Sequence, residues 1–433
     1  MSEQTTLGEI LPISYGKART ETYGVVRQET PVYGSSGEIG SFNRALTKGP
    51  ALIVGRKGSA GAVFYAPGPC WPIDTVYFTE GNERAYLPYF RYLLESLALG
   101  RFDRSTAVPS LSRDDYNSIS INVPTVDEQR RIVAEIEEQL SRLEAGVAAL
   151  KRVQVNLKRY RASVLAAACS GRLVPTEAAL ARAEGRSYET GVQLLARIIE
   201  ERRAHWTGKG NYKEPAASGT PSLPDLPEAW AWANIEQVGE IIGGLTKNPK
   251  RESLPLKLPY LRVANVYADE LRLDDIEHIG VNEAELEKLR LSVDDLLIVE
   301  GNGSLAQIGR VAHWDGSIDP CVHQNHLIKV RLAGVNARWV MQWLLSMPGR
   351  AHIEAVAAST SGLHTLSTGK VARLPVPLPP LPEQHRIVAE VDRRLSLVRE
   401  AEQQVEADLT RGERLRLSAL QFAFQTGASN ARV

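Results

Sequence analysis

Cysteine is scarce in this chain: three residues in 433, Cys70, Cys169 and Cys321, lie far apart with no CxxC or Cys/His pair at metal-ligand spacing. That excludes a disulfide framework and a Cys-based zinc site, and it fits a reducing compartment, so the cytoplasm is the expected location. The first residues, Met-Ser-Glu-Gln-Thr-Thr, lack the basic-then-apolar run of a signal peptide. No segment approaches the roughly 20 apolar residues that span a bilayer, so no membrane partner is expected. An excess of charge is missing too, because 51 basic and 51 acidic residues cancel. Nucleic-acid affinity draws on Lys and Arg at phosphates. A nucleic-acid function here therefore requires an uneven distribution of charge, or partners that supply the rest.

Catalytic signatures are absent as well. The glycine-rich run Gly55-Arg56-Lys57-Gly58-Ser59-Ala60-Gly61 lacks the Gly-Lys-Ser/Thr ending of a phosphate loop. Asn248-Pro249-Lys250 is not the Asn/Asp-Pro-Pro-aromatic tetrapeptide of an adenine methyltransferase. There is no HExxH, no EF-hand and no dinucleotide fingerprint. His323 and His326 flank Gln324-Asn325 in an expected strand, but a metal would need further ligands that the sequence does not show. Hydrogen bonding within the fold, or to a base edge, suits those side chains better. No catalytic residue, metal site or bound cofactor is expected in this chain.

What the sequence does contain is a duplication. Val123 opens VPTVDEQRRIVAEIEEQLSRL and Leu378 opens LPPLPEQHRIVAEVDRRLSLV. Glu128-Gln129 and Arg131 to Glu135 recur as Glu383-Gln384 and Arg386 to Glu390, at an offset of 255 positions. The same offset carries Leu111-Ser112 onto Leu366-Ser367, and Arg161, Ser163, Leu165 and Ala168 onto Arg416, Ser418, Leu420 and Ala423. Chance similarity between two helices rarely holds register over so long a stretch. Such a repeat in a chain of this length, 43% hydrophobic and 24% charged, points to two or three soluble domains.

Each repeated block reads as a long helix. Proline ends the segment before it, and Glu-Gln suits a first turn, where acids favour the dipole. In the first copy Ile136, Leu140, Leu143, Val147, Leu150, Gln154, Leu157, Arg161 and Val164 step by alternating fours and threes. The second copy gives Val391, Leu395, Val398, Glu402, Val405, Leu409, Gly412, Arg416 and Ala419. These are heptad seams with polar interruptions, in helices of about 40 residues against a usual length near 11–12. Two matching seams in one chain most simply pack on each other as an antiparallel coiled coil.

Between the helices the sequence diverges. The expected class is α+β, two globular α/β domains separated by the two long helices. The expected divisions are 1–122 for the first globular domain and 123–170 for the central helix. A connector follows over 171–229, then a second globular domain over 230–377 and a C-terminal helix over 378–433. Short β-rich runs mark the domains: Ala51–Val54, Leu296–Val299 and His326–Val330. Apart from their closing segments the two domains barely resemble each other. The connector carries an expected helix over Val192–His205 and then a stretch rich in Gly, Pro and Ser.

A proline-flanked P-x-x-x-E-Q-x-R-I-V opening a long helix, twice in one chain and each time after a dissimilar domain, resembles the specificity subunits of type I restriction-modification systems. The match covers essentially the whole chain. Supporting phrases are Pro31 to Gly40, Gly49 to Gly61, Val108 to Asp115, and Leu226-Pro227-Glu228-Ala229-Trp230 with Trp232 beyond it. The first domain departs from the pattern. It has no Leu-Pro-x-x-Trp lead-in and starts at Leu7-Gly8-Glu9-Ile10, echoing Val238-Gly239-Glu240-Ile241. The resemblance implies target-recognition domains that each read one half of a split site in double-stranded DNA. It implies helices that act as a ruler and dock two modification (methyltransferase) subunits, with two restriction-translocase subunits completing the complex. S-adenosylmethionine, ATP and magnesium would then belong to those partners.

A helix of about 40 residues is roughly 60 Å long, or about 18 base pairs of duplex, so domains at opposite ends of such helices would reach half-sites about one turn apart. Candidate contacts follow from residue type. In the first domain Arg56, Lys57 and Ser59 sit on a glycine loop that permits close approach, and Ser105, Thr106 and Arg113 precede the repeat. In the second, Lys247, Lys250 and Arg251 form a basic loop suited to phosphates. Asn302, Ser304, Gln324, Asn325, Ser361 and His364 are of the types that read base edges. A different class of function competes with this one: a non-catalytic coiled-coil scaffold whose globular ends bind proteins, which zero net charge favours.

Overall fold

The computed structural model describes residues 3–18, 30–102, 108–207, 211–216, 223–301, 307–357 and 365–429, leaving aside the side chains of residue 102 and residues 425–429. The chain forms two compact units, one from residues 1–154 and 403–433 and the other from 155–402. The division falls inside the two long helices, so each helix lends one part to each unit.

In the first unit, β-branched and aromatic runs build two small sheets. Ala51–Gly55 is buried along its whole length, as a central strand must be. It lies between Val76–Thr79 and Val63–Ala66, and Ser14–Tyr15 adds to the far side of Val76–Thr79, all antiparallel. The second sheet places Thr30–Gly34 between Gly37–Phe42, antiparallel, and Trp71–Pro72, parallel. A separate ribbon pairs Glu3–Thr6 with Ser120–Val123, setting Glu3 opposite Val123.

The second unit repeats this plan and adds a short ribbon of Val266–Tyr267 with Glu270–Leu271. Its four-stranded sheet has Leu296–Val299 in the place of Ala51–Gly55, flanked by Leu327–Leu332 and Val311–His313, with Gly239–Gly243 outermost. Its three-stranded sheet places Leu256–Leu261 between Glu277–Val281, antiparallel, and Val322–His323, parallel. Ala231–Asn234 pairs with Pro375–Leu378 as the ribbon. Even one tight approach recurs. A Cβ on Gly16 would stand 2.0 Å from the Ile73 carbonyl oxygen, and one on Gly244 would stand 2.3 Å from those of Gln324 and His323. Only glycine lets the backbones come so close.

This alignment shifts one expected correspondence. Leu7–Ile10 is a one-turn helix capped by Thr6 and Glu9, and its counterpart is Ile235–Val238, capped by Asn234 and Gln237. The echo of Leu7-Gly8-Glu9-Ile10 in Val238–Ile241 is therefore out of register by three residues, because Gly239 already begins a strand. The capping box determines where the turn starts.

The long helices run over Val126–Cys169 and Leu381–Ser429. The repeated glutamine does more than begin them. Gln129 is fully buried; its Oε1 accepts from the backbone N of Tyr86 at 2.8 Å, and its Nε2 donates to the carbonyls of Arg84 and Pro124, both at 2.9 Å. Gln384 accepts from the backbone N of Asn336 at 2.9 Å and donates to the Pro379 carbonyl at 2.8 Å. Tyr86 and Asn336 are the cap residues of the helices Leu87–Ser96 and Ala337–Leu345. Each glutamine thus satisfies an orphan donor at a helix start and clamps a globular domain onto its long helix.

Within the first unit Ile136 and Leu140 share a core with Leu420, and a Cβ on Gly412 would lie 3.1 Å from Val147 Cγ2. Within the second, Val164, Leu165 and Ala168 share a core with Val388, Val391 and Leu395. The polar seam positions Arg161 and Glu402 pair at 2.9 Å. In both units rising numbers on one helix meet falling numbers on the other, which is the expected antiparallel packing. The connector helix over Gly191–Ala204 also forms, and a shorter helix over Glu177–Glu184 precedes it.

Candidate nucleic-acid interface

In the first unit, the loop after Ala51–Gly55 is shaped by glycine. A Cβ on Gly55 would stand 2.1 Å from the Ser59 carbonyl, and Gly61, at φ +79°, would collide with the backbone of Gly100. The loop is stitched to its neighbours through main chain. Arg56 N donates to the Thr75 carbonyl at 3.0 Å, Leu111 N to the Arg56 carbonyl at 2.9 Å, and Gly58 N to the Pro109 carbonyl at 3.0 Å. Residues far apart in sequence thereby meet. The guanidinium carbons of Arg56 and Arg113 stand 5.3 and 5.9 Å from the ring centre of Tyr15, which is 47% exposed. Tyr15 in turn lies edge-on to Tyr77 at 5.1 Å, and the Tyr77 hydroxyl donates to the Leu111 carbonyl at 3.1 Å. Burial pushes the Tyr77 phenol up to about 12, so it remains a donor at neutral pH. Lys57 and Ser59 are exposed on the same loop. Arg56 Nε is buried without a hydrogen-bond partner. A cation layered on an exposed aromatic ring offers both charge and a stacking face.

The second unit builds the same junction from other side chains. Glu300 N donates to the His326 carbonyl at 2.9 Å and Leu366 N to the Glu300 carbonyl at 2.6 Å, so Glu300 occupies the position of Arg56, and His326 that of Thr75. The Glu300 carboxylate lies 3.0 Å from His326 Nδ1. At this one position the first unit carries Arg56 and the second Glu300.

Gln324 and Asn325 are half-buried beside Leu245, whose carbonyl accepts from Asn325 N at 2.9 Å. They lie next to the loop that carries Lys247, Lys250 and Arg251. Lys247 pairs with Glu277 at 2.6 Å, and Lys250 is exposed. Arg251 forms a fork on Glu285 at 2.8 and 3.0 Å and donates to the Thr246 carbonyl, holding the loop in shape. Lys247, Arg251 and Lys257 rim a cleft of about 280 Å³.

Of the expected contact residues, Arg56 and Arg113 come together, and Lys57 and Ser59 stand beside them. Lys247, Lys250, Arg251, Gln324 and Asn325 form a second group. Ser105, Thr106, Asn302, Ser304, Ser361 and His364 lie outside the described residues. The sequence reading missed Tyr15 and Glu300, whereas His326, expected to hydrogen-bond within the fold or to a base edge, lies 3.0 Å from the Glu300 carboxylate. An exposed aromatic in a short strand was the one available signal for Tyr15, and the sequence distances of 41 and 98 residues to its two arginines hid the rest.

The chain matches the family model described as type I restriction modification DNA specificity domain over residues 2–152 and 227–410. Among curated proteins it is similar to the type I restriction enzyme EcoDI specificity subunit of Escherichia coli, at 24% identity over 74% of this chain and 65% of that protein. It is also similar to the StySPI specificity subunit of Salmonella potsdam, at 23% identity over 88% of this chain and 73% of that protein. A solved chain from work on complex assembly and conformational transition of the type I R-M system superposes with a TM-score of 0.61. That superposition covers 98% of this chain and 97% of the other at 16% identity, and so speaks for the fold.

Proposed function

Because the chain belongs to the type I restriction-modification DNA specificity family, we propose that it is a non-catalytic reader of double-stranded DNA in the cytoplasm, each globular domain taking one half of a bipartite site. The repeated helices set the spacer and dock two modification subunits, and two restriction-translocase subunits complete the assembly. S-adenosylmethionine, ATP and magnesium act in those partners. Arg56, Lys57 and Arg113 with Tyr15 contact the first half-site. Lys247, Lys250, Gln324 and Asn325 contact the second, where Glu300 and His326 give a different donor and acceptor pattern.

One observation carries this reading. Two domains share topology, register and main-chain stitching, yet at the same junction one presents Arg56 and the other Glu300. A protein-binding scaffold has no reason to hold the frame fixed while inverting charge at one spot. Base readout does, since guanine offers two acceptors in the major groove and cytosine a donor.

The test is to co-express the chain with a cognate methyltransferase subunit and map methylated adenines across a genome. A single asymmetric bipartite motif is expected. Replacing residues 30–102 with the corresponding part of a different specificity subunit should change one half of that motif only. Methylation at no bipartite motif, or loss of both halves on that exchange, would overturn the proposal.

A further inference from the structure

The second unit contains an aromatic lock that the first leaves open. Trp230 is buried edge-on against Trp339, ring centres 5.6 Å apart, and its indole Nε1 donates to Glu383 Oε1 at 3.0 Å. Trp232 packs against Trp343 in the same manner. The other Glu383 oxygen accepts from the backbone N of Glu177 at 2.8 Å, so this fully buried carboxylate is satisfied on both sides. By the matched caps Tyr86 and Asn336, Tyr89 stands in the first unit where Trp339 stands in the second, and Leu93 where Trp343 stands. By the 255 offset Glu128 is the counterpart of Glu383 and Ile132 of Ile387.

At that place the first unit has a cleft of about 390 Å³, lined among others by Tyr89, Leu93, Glu128, Ile132 and Phe424. Phe424 lies edge-on to Tyr89 at 5.3 Å and covers part of it. Glu128 carries no indole. It is 40% exposed and turns back to Arg131 at 2.6 Å. The first unit has one tryptophan, Trp71, and its indole is already committed to the Lys17 carbonyl while its ring packs on Phe42.

We propose that this cleft receives a tryptophan-bearing segment of a partner polypeptide, the indole packing on Tyr89 and donating to Glu128 as Trp230 does to Glu383. The internal symmetry of the two units alone supports this, independently of DNA reading. The first copy retains the acceptor, an aromatic platform and a cleft, with Leu93 in place of Trp343 and Phe424 on one side of the platform, and among its described residues no tryptophan fills it. The six other tryptophans of the chain lie in the second unit. All but Trp206 are buried or half-buried there; Trp206 is 49% exposed and lies edge-on to Tyr212.

The probe is a fluorescein-labelled peptide with the sequence of residues 223–233, LPDLPEAWAWA, titrated by anisotropy against the full chain. A saturable rise is expected with a dissociation constant at or below about 100 μM. Phe in place of the first peptide tryptophan should weaken binding at least about tenfold, because the ring stays and the N–H goes. Ile132→Arg in the full chain should abolish it. The peptide change leaves the chain intact, so the result does not depend on that variant folding. No saturable rise up to about 1 mM would overturn the proposal. So would binding indifferent to both changes, or a self-associated chain whose dimer is undone by Trp206→Ala, which would make a second copy the occupant.

Discussion

If Gln384 clamps the second domain to its helix, removing its amide should cost more than its volume alone. Gln384→Ala removes a fully buried side chain and leaves the backbone N of half-buried Asn336 and the carbonyl of buried Pro379 without their partner. Each buried group left unpaired costs about 1–3 kcal/mol, so the pair costs about 2–6 kcal/mol. For a unit of this size each kcal/mol lowers Tm by roughly 2–4 °C, giving a drop of about 4–24 °C by scanning calorimetry. Gln384→Glu separates hydrogen bonding from packing. The carboxylate still accepts from Asn336 N but points its second oxygen at the Pro379 carbonyl, where only a protonated acid can donate. Its folded pKa must then rise above the ordinary value, so its stability is present at low pH and lost as pH climbs. The gap to the parent protein should be narrow near pH 4.5 and wide at pH 8. An Ala variant that loses less than about 1 kcal/mol, or a Glu variant whose gap is the same at both pH values, would refute the clamp.

Three further expectations follow from the structure. Arg56→Ala should cost about 1–3 kcal/mol of DNA affinity and blur one position of the site, whereas Lys57→Ala should weaken all sequences alike and lower the salt slope by about one; competition binding across base substitutions at several salt concentrations distinguishes them. Burial, reinforced by the charge of Lys329, pushes the fully buried His323 imidazole down to about 4. The folded state therefore resists protonation that the unfolded chain accepts near 6.5, and stability falls as pH drops from about 6.5 to 4, by about 3 kcal/mol in full; His323→Gln should flatten that part of a denaturation series, and an unchanged slope would exclude the residue. Inserting seven residues at matched points in both long helices adds about 10 Å, or roughly three base pairs, to the spacer and leaves both half-sites unaltered; methylome mapping reads the result directly.

The frame was legible in the sequence because its physics is periodic. A 255-residue offset and two heptad seams are visible without coordinates, and the polar seam positions Arg161 and Glu402 prove to be partners. The shared topology of the two globular domains was not legible. Ala51–Gly55 and Leu296–Val299 are both buried centre strands, but burial asks only for apolar side chains of suitable volume and leaves their identities free to drift. The repeated Glu-Gln was visible and its purpose was not, because the cap that Gln129 serves is 43 residues away in sequence. Tyr15 escaped for the same reason: nothing local to it announces Arg56 and Arg113.

The ribbons described above have a consequence for inheritance. In each domain the first strand is hydrogen-bonded to the last, Glu3 facing Val123 and Ala231 facing Leu378. Chain that leaves the frame and chain that rejoins it are therefore neighbours. Everything between can be exchanged for another sequence of the same fold while a single two-stranded join is kept. A gene cut at those two joins would yield a new specificity in one recombination event, provided the incoming domain keeps the helix cap that Gln129 or Gln384 holds.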